Sequence, residues 1–189
     1  DMVFVHQVFG KCLAARIEAS KAFAKNLMHK YHIPTASFSV YDDMDSAMAY
    51  IEQNDPVFVV KADGLALGKG VFICDTKEKA RDAIKDMMVD KVFGGAGANV
   101  VIEEFLTGPE VSLLCFTDGK TVKLMPAAQD HKRAKDGDKG PNTGGMGAFA
   151  PTAKMTPELL ETTMRTIVLP TIEAMNQEGC PFKGTLYFG

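Results

Sequence analysis

The chain has 189 residues, 46% hydrophobic and 24% charged, enough for one full soluble domain or one domain with a small insertion at ~100–200 residues per domain. Lys and Arg total 21 against 24 Asp and Glu. The resulting net charge of −3 excludes a nucleic-acid protein that works by bulk positive charge. The longest apolar runs reach about six residues, which excludes a membrane-spanning helix, and no signal peptide is visible.

The chain opens on an apolar run, Met2-Val3-Phe4-Val5, with no start methionine, and reads as a cut into a longer protein. A helix is predicted over Ala14 to Tyr31, with Ile17, Phe23, Ala24, Leu27 and Met28 near one face, ending before Pro34. A second is predicted over Met44 to Gln53, capped by Asp42 or Asp43. Val57–Lys61 and Val71–Asp75 read as strands, and Thr76 caps a helix running to about Asp90. Asn99–Phe105 and Glu110–Phe116 read as two further strands joined by a tight turn. This β-β-α-β-β order defines a small α+β unit at 57–116, set between a first part at 1–56 and a continuation at 117–189. Thr121–Ala127 is a strand. Gln129–Gly147 is a long polar stretch without periodicity, a length of loop that is usually functional. Thr156 and Pro157 start a helix to about Glu178 with a kink at Pro170, and Thr185–Phe188 begins a strand. Cys12, Cys74, Cys115 and Cys180 show neither CxxC nor zinc spacing and read as reduced thiols of a cytoplasmic protein. The 11 methionines read as core filler.

Four constellations carry chemistry. In Lys61-Ala-Asp-Gly-Leu-Ala-Leu-Gly-Lys-Gly70, glycines allow backbone N–H groups to approach a phosphate and lysines neutralise it; the alternative is a flexible hairpin with solvated lysines. It is not a Walker A loop, because Gly70 stands where Ser or Thr is required and a strand follows it. Glu103-Glu-Phe-Leu106 with Glu110 offers an apolar slot and carboxylates suited to a base and a ribose, or else is an ordinary hairpin with exposed glutamates. Gln129-Asp-His-Lys-Arg133 leads into Gly140-Pro-Asn-Thr-Gly-Gly-Met-Gly147. That segment suits an anionic substrate bearing hydroxyls or an amine. Arg133 can grip an anion with two hydrogen bonds. Asn142, Thr143, Gly144 and Gly145 can form an anion nest. The alternative there is a solvated loop, in which His131 is a hydrogen-bonding group rather than an acid–base catalyst. Lys21 lies beside an apolar stripe, where an ammonium needs a partner unless the side chain snorkels.

Together with Glu18-Ala-Ser-Lys-Ala-Phe-Ala-Lys25 and Gly179-Cys-Pro-Phe-Lys-Gly184, these motifs resemble the phosphoribosylamine–glycine ligase family, ATP-grasp enzymes of purine biosynthesis. The resemblance spans nearly the whole chain in the family's order. It implies an α+β ATP-grasp fold, two α+β subdomains gripping ATP, truncated here at both ends, with 57–116 as the mobile lid. It implies that glycine is ligated to 5-phosphoribosylamine through a glycyl phosphate, with ATP as cofactor. Lys21 and Lys61 would hold ATP phosphates. Asp63, Gly64, Gly68, Lys69 and Gly70 belong to the loop that closes over them. Glu103, Phe105 and Leu106 would contact adenine through their backbone, and Glu110 the ribose. Asp130, Lys132, Arg133, Asn142, Thr143, Gly144 and Gly145 would bind the substrates, and Lys61, Asp130 and Arg133 would serve catalysis. Mg²⁺ or Mn²⁺ is implied, with ligands in a C-terminal segment that this sequence lacks, so no metal residue is named and the piece alone is expected to turn over negligibly. Fusion to other purine-biosynthesis domains is compatible with the resemblance; nucleic-acid and membrane partners are not expected. The rival readings are another ATP-grasp carboxylate–amine ligase and a non-catalytic nucleotide-binding module.

Overall fold

The computed structural model describes residues 16–17, 19–66, 70–137, 139–143 and 145–189, without the side chains of Pro141 and Asn142. The opening apolar run, Cys12, Glu18, Leu67, Gly68, Lys69, Asp138 and Gly144 lie outside the described residues. The chain divides into two compact units, and the described residues fall into 16–107 and 108–189.

In the first unit, helix α1 (Lys21–Lys30) is followed by β1 (Phe38–Tyr41), α2 (Met44–Gln53), β2 (Phe58–Ala62), β3 (Val71–Cys74), α3 (Lys77–Met88), a 3₁₀ turn (Gly94–Gly97) and β4 (Val100–Glu104). The strands form one antiparallel sheet in the order β1-β4-β2-β3. Local caps start the two middle helices as the sequence predicts: the Asp43 carboxylate accepts from Ser46 N–H and the Thr76 hydroxyl from Lys79 N–H. Pleating gives the sheet two different faces. Phe58, Val60, Ala62, Val100 and Ile102 point into a core with Ala47 and Ile51 of α2 and Ala80, Ala83, Ile84 and Met87 of α3. Val59, Lys61, Val101 and Glu103, at the alternating positions, belong to the opposite face. Where α3 meets the 3₁₀ turn there is no room for a side chain, because a Cβ on Gly97 would lie 2.5 Å from the Met87 carbonyl oxygen. Gly97→Ala is therefore expected to lower stability by about 1–3 kcal/mol, as overpacking does. An unchanged urea midpoint would contradict this.

Three expectations need correction in this unit. The first helix does not run through from residue 14. Ser20 is extended (φ −140°, ψ 115°) and caps a new start at Lys21. The sequence reading has no strand at Phe38–Tyr41. That segment is half-buried at every position and lacks a period-two pattern, so only its pairing to β4 makes it a strand. The third concerns the hairpin expected between 99–105 and 110–116. Both edges of β4 are taken by β1 and β2, so the next strand cannot pair with it.

That next strand, β5 (Leu113–Thr117), belongs to the second unit, in a three-stranded antiparallel sheet ordered β11-β5-β6 with β6 (Val122–Leu124) and β11 (Gly184–Phe188). Leu113, Cys115 and Leu186 are buried, as are Val168, Ile172 and Met175 of the helical segment. That segment is α4 (Pro157–Thr163), a π-helical stretch (Met164–Val168) and α5 (Leu169–Gln177). The irregularity precedes Pro170 as expected, because the proline ring excludes the normal bond to the carbonyl four residues back and a widened turn absorbs the clash. The polar stretch 129–147 is not structureless. It forms two antiparallel ribbons, β7 (Gln129–Asp130) with β10 (Ala148–Phe149) and β8 (Arg133–Lys135) with β9 (Lys139–Asn142). Gly137 (φ +70°) supplies the left-handed turn of the second.

Candidate functional site

On the face of the first unit's sheet that carries Val59 and Val101, β2 and β4 set Lys61 and Glu103 on a diagonal, and α1 brings a third charged group. Glu103 is only 6% exposed, and its Oε2 takes both Lys61 Nζ (3.0 Å) and Lys25 Nζ (3.1 Å). Its Oε1 is buried with no hydrogen-bond partner among the described residues. Lys25, 8% exposed, also donates to Thr35 Oγ1 (2.7 Å) and Ala36 O (3.5 Å). Burial holds the Lys25 ammonium below the ordinary lysine value, partly countered by the charge and hydrogen bond of Glu103. Glu104 turns the other way and accepts from Ser37 N–H (2.8 Å).

Lys21 lies beside this group. Burial first, then the charge of Lys61, pushes its pKa down, against the opposing pull of Asp63 and Glu103. Its Nζ donates to Ala62 O (2.9 Å) and Gly64 O (3.2 Å), so it anchors the start of the glycine–lysine loop. Asp63 is occupied as a tertiary cap: its Oδ1 accepts from Ser20 Oγ (2.9 Å) and Ala22 N–H (2.8 Å). Both ends of the loop need glycine for close packing. A Cβ on Gly64 would meet Ala96 Cα at 2.8 Å, and one on Gly70 would meet Ala66 Cβ at 2.6 Å. Beyond β4, Phe105 (41%) and Leu106 (64%) are exposed apolar side chains.

In the second unit Glu110 Oε1 accepts from Lys132 Nζ at 2.7 Å. Burial works against the Lys132 charge, but the Glu110 hydrogen bond and the charges of Glu110 and Asp130 prevail and raise its pKa. Arg133 is exposed and donates to Gly140 O (3.0 Å). His131 stacks on Phe149 with centroids 5.5 Å apart, across the β7–β10 ribbon. The N–H and hydroxyl of Thr143 both donate to Lys132 O, and Gly145 N–H donates to Thr143 Oγ1 (3.1 Å). Three donors of the expected anion nest, on Thr143 and Gly145, are thus satisfied inside the loop.

A family model for the phosphoribosylglycinamide synthetase ATP-grasp (A) domain matches residues 19–189. The chain belongs to this family. It is 53% identical over 176 residues to a phosphoribosylamine–glycine ligase of Streptococcus pyogenes serotype M6, covering 93% of this chain and 42% of that protein. It is 52% identical over 177 residues to the bifunctional purine biosynthetic protein ADE1 of Schizosaccharomyces pombe, 94% of this chain and 22% of that one. A crystal structure of phosphoribosylamine–glycine ligase from Thermotoga maritima superposes with a TM-score of 0.86 at 38% identity, over 94% of this chain and 45% of that one. The α+β ATP-grasp fold follows, and the chain spans about two fifths of the length of its Streptococcus relative.

Sequence reasoning singled out Lys21, Lys61, Glu103, Glu110 and Lys132, and the structure gives each a polar partner. It missed the parts played by Lys25 and Ser20. The signal for Lys25 was its position four residues after Lys21 on one helix, where an apolar face makes a lysine conspicuous.

Proposed function

We propose that this chain is the nucleotide-gripping part of a ligase that joins glycine to 5-phosphoribosylamine, with ATP as phosphoryl donor, in cytoplasmic de novo purine synthesis. The observation that carries this reading is the cation cluster beside the glycine–lysine loop: two ammoniums on one buried carboxylate, with Lys21 tethered to the loop base. Its assignment to this ligase rests on the family match. Lys21 and Lys61 hold phosphates, and the β2–β3 hairpin carries the lid loop, in which Asp63 and Lys21 fix one end and Gly68, Lys69 and Gly70 cover the nucleotide. Phe105 and Leu106 flank the base, with backbone groups of Glu103–Leu106 as its partners, and Glu110 takes the ribose hydroxyls. Asp130, Lys132 and Arg133, with Asn142, Thr143, Gly144 and Gly145, bind glycine and the ribosylamine phosphate.

In the proposed reaction a glycine carboxylate oxygen attacks the γ-phosphorus, ADP leaves, and glycyl phosphate forms. The amine nitrogen then attacks the acyl carbon, phosphate leaves, and the nitrogen gives up a proton. Cations offset the anions brought together, and closure keeps water from the acyl phosphate. The family implies Mg²⁺ or Mn²⁺. Among the described residues no group of three or more His, Cys, Asp or Glu could hold a metal ion, so no residue and no step is assigned to it. Among the described residues no helix is long and apolar enough to cross a membrane. The ADE1 relative shows the domain within a longer purine-biosynthesis chain, so fusion to other such domains is part of the proposal.

The test has two arms. The full-length parent is expected to form glycinamide ribonucleotide, ADP and phosphate in equal amounts from ATP, glycine and 5-phosphoribosylamine. This chain is expected to bind ATP in calorimetry, with Glu110→Ala about tenfold weaker through lost ribose hydrogen bonds. Absence of product from the parent overturns the reaction. Unchanged binding in Glu110→Ala overturns the ribose assignment.

A further inference from the structure

Lys25 is a buried lysine to which the proposed chemistry gives no task. Its ammonium is committed to Thr35, Ala36 and Glu103, so it has no donor to spare for a ligand. Lys25 comes from α1 and Lys61 from β2, and the two lysines share one carboxylate oxygen of Glu103. The other oxygen, Oε1, has no hydrogen-bond partner among the described residues, so the buried carboxylate depends on the two ammoniums at salt-bridge distance from Oε2, with the charge of Lys21 acting from nearby.

We infer that Lys25 is a positioning residue for nucleotide phosphates: it offsets the charge of Glu103, so that Lys61 presents a net positive field instead of a neutral pair. The inference rests on the reading of Lys61 as a phosphate ligand. Counted over the named groups, the ammoniums of Lys25, Lys61 and Lys21 against the carboxylates of Glu103 and Asp63 leave one net positive charge. Removing the Lys25 charge leaves none, and removing the Glu103 charge as well restores it. In a site shielded from water, one unit charge changes anion affinity by an amount that direct contact is not needed to explain. Burial and the carboxylate together also hold Lys25 rigid, which fixes Glu103 and through it the Lys61 side chain.

The experiment is calorimetric titration of ATP and of adenosine into the full 189-residue chain and its variants. Lys25→Met is expected to weaken ATP about tenfold while leaving adenosine within about twofold. Lys25→Arg is expected to retain most of the ATP affinity. The double variant Lys25→Met/Glu103→Gln, with its net charge restored, is expected to return to within about threefold of wild type. A direct phosphate contact or a merely structural role would leave the double variant as weak as Lys25→Met or weaker. Should Lys25→Met not fold, the charge-balanced double variant carries the test alone, and a tenfold loss in it overturns the inference. Lys61→Met separates the two layers. No ATP binding by wild type, or no loss in Lys61→Met, overturns the phosphate reading and this inference with it. A loss in Lys61→Met without one in Lys25→Met overturns the inference alone, as does an equal loss for adenosine.

Discussion

Glu103→Leu is expected to lower the unfolding free energy by about 3–5 kcal/mol, the cost of removing one partner from a buried ionic group. The carboxylate is 6% exposed and is the acid that both Lys25 and Lys61 face at salt-bridge distance. Leucine would fill the volume but leave two like charges on one sheet face with no counter-ion. The effect carries a pH signature. Lys25 and Lys21 already sit below the ordinary lysine value, burial being the largest cause. Without Glu103 their folded-state pKa values fall further, while the unfolded values stay ordinary. Between the two, the unfolded state binds more protons, so stability rises with pH. The deficit of Glu103→Leu is therefore largest at neutral pH and shrinks as pH climbs through the depressed lysine values toward the ordinary one near 10.5. Urea unfolding at pH 7 and pH 10 measures both quantities. A deficit under about 1 kcal/mol at pH 7 would mean that the cluster is solvated and that the burial argument fails.

Lys61→Met is expected to cost about a hundredfold in ATP affinity and to leave adenosine within about twofold. A charge-assisted hydrogen bond contributes about 1.5–3 kcal/mol, and about 2.7 kcal/mol is a hundredfold. Methionine keeps the length and most of the packing, so a loss of this size reports the charge. Position supports the magnitude. Lys61 is one residue from the end of β2, where Ala62 N–H bonds Gly70 O (2.8 Å) and pins the base of the glycine–lysine loop. Its side chain is largely shielded from solvent, so water screens its charge poorly. Equal losses for ATP and adenosine would instead indicate general damage to the unit, and an unchanged ATP affinity would remove Lys61 from the phosphate site.

The parts of this protein that were legible in its sequence are those fixed by short-range chemistry. The caps at Asp43, Thr76 and Thr156 act on N–H groups three residues on, so α2, α3 and α4 start where the sequence places them. The β2–β3 hairpin follows from two strands flanking a glycine-rich loop. The motifs were equally legible, because glycine, lysine and carboxylate spacing is itself the family's signature, and the family match agrees. What was not legible depends on partners distant in the chain. Ser20 breaks the first helix because Asp63, 43 residues away, accepts its hydroxyl. Phe38–Tyr41 is a strand because β4 pairs with it, and β5 joins another sheet because β4 then has no free edge.

The same division runs through the site. Residue chemistry alone marked which segments carry the lysines and glutamates that the proposal sets against anions and hydroxyls. Tertiary structure alone decided which lysine serves which carboxylate. Lys25 and Lys61 lie on different elements, and only the pleat of the sheet and the docking of α1 bring both to Glu103 Oε2. No local pattern encodes that meeting, because a buried charge is stabilised by whichever opposite charge the fold delivers to it.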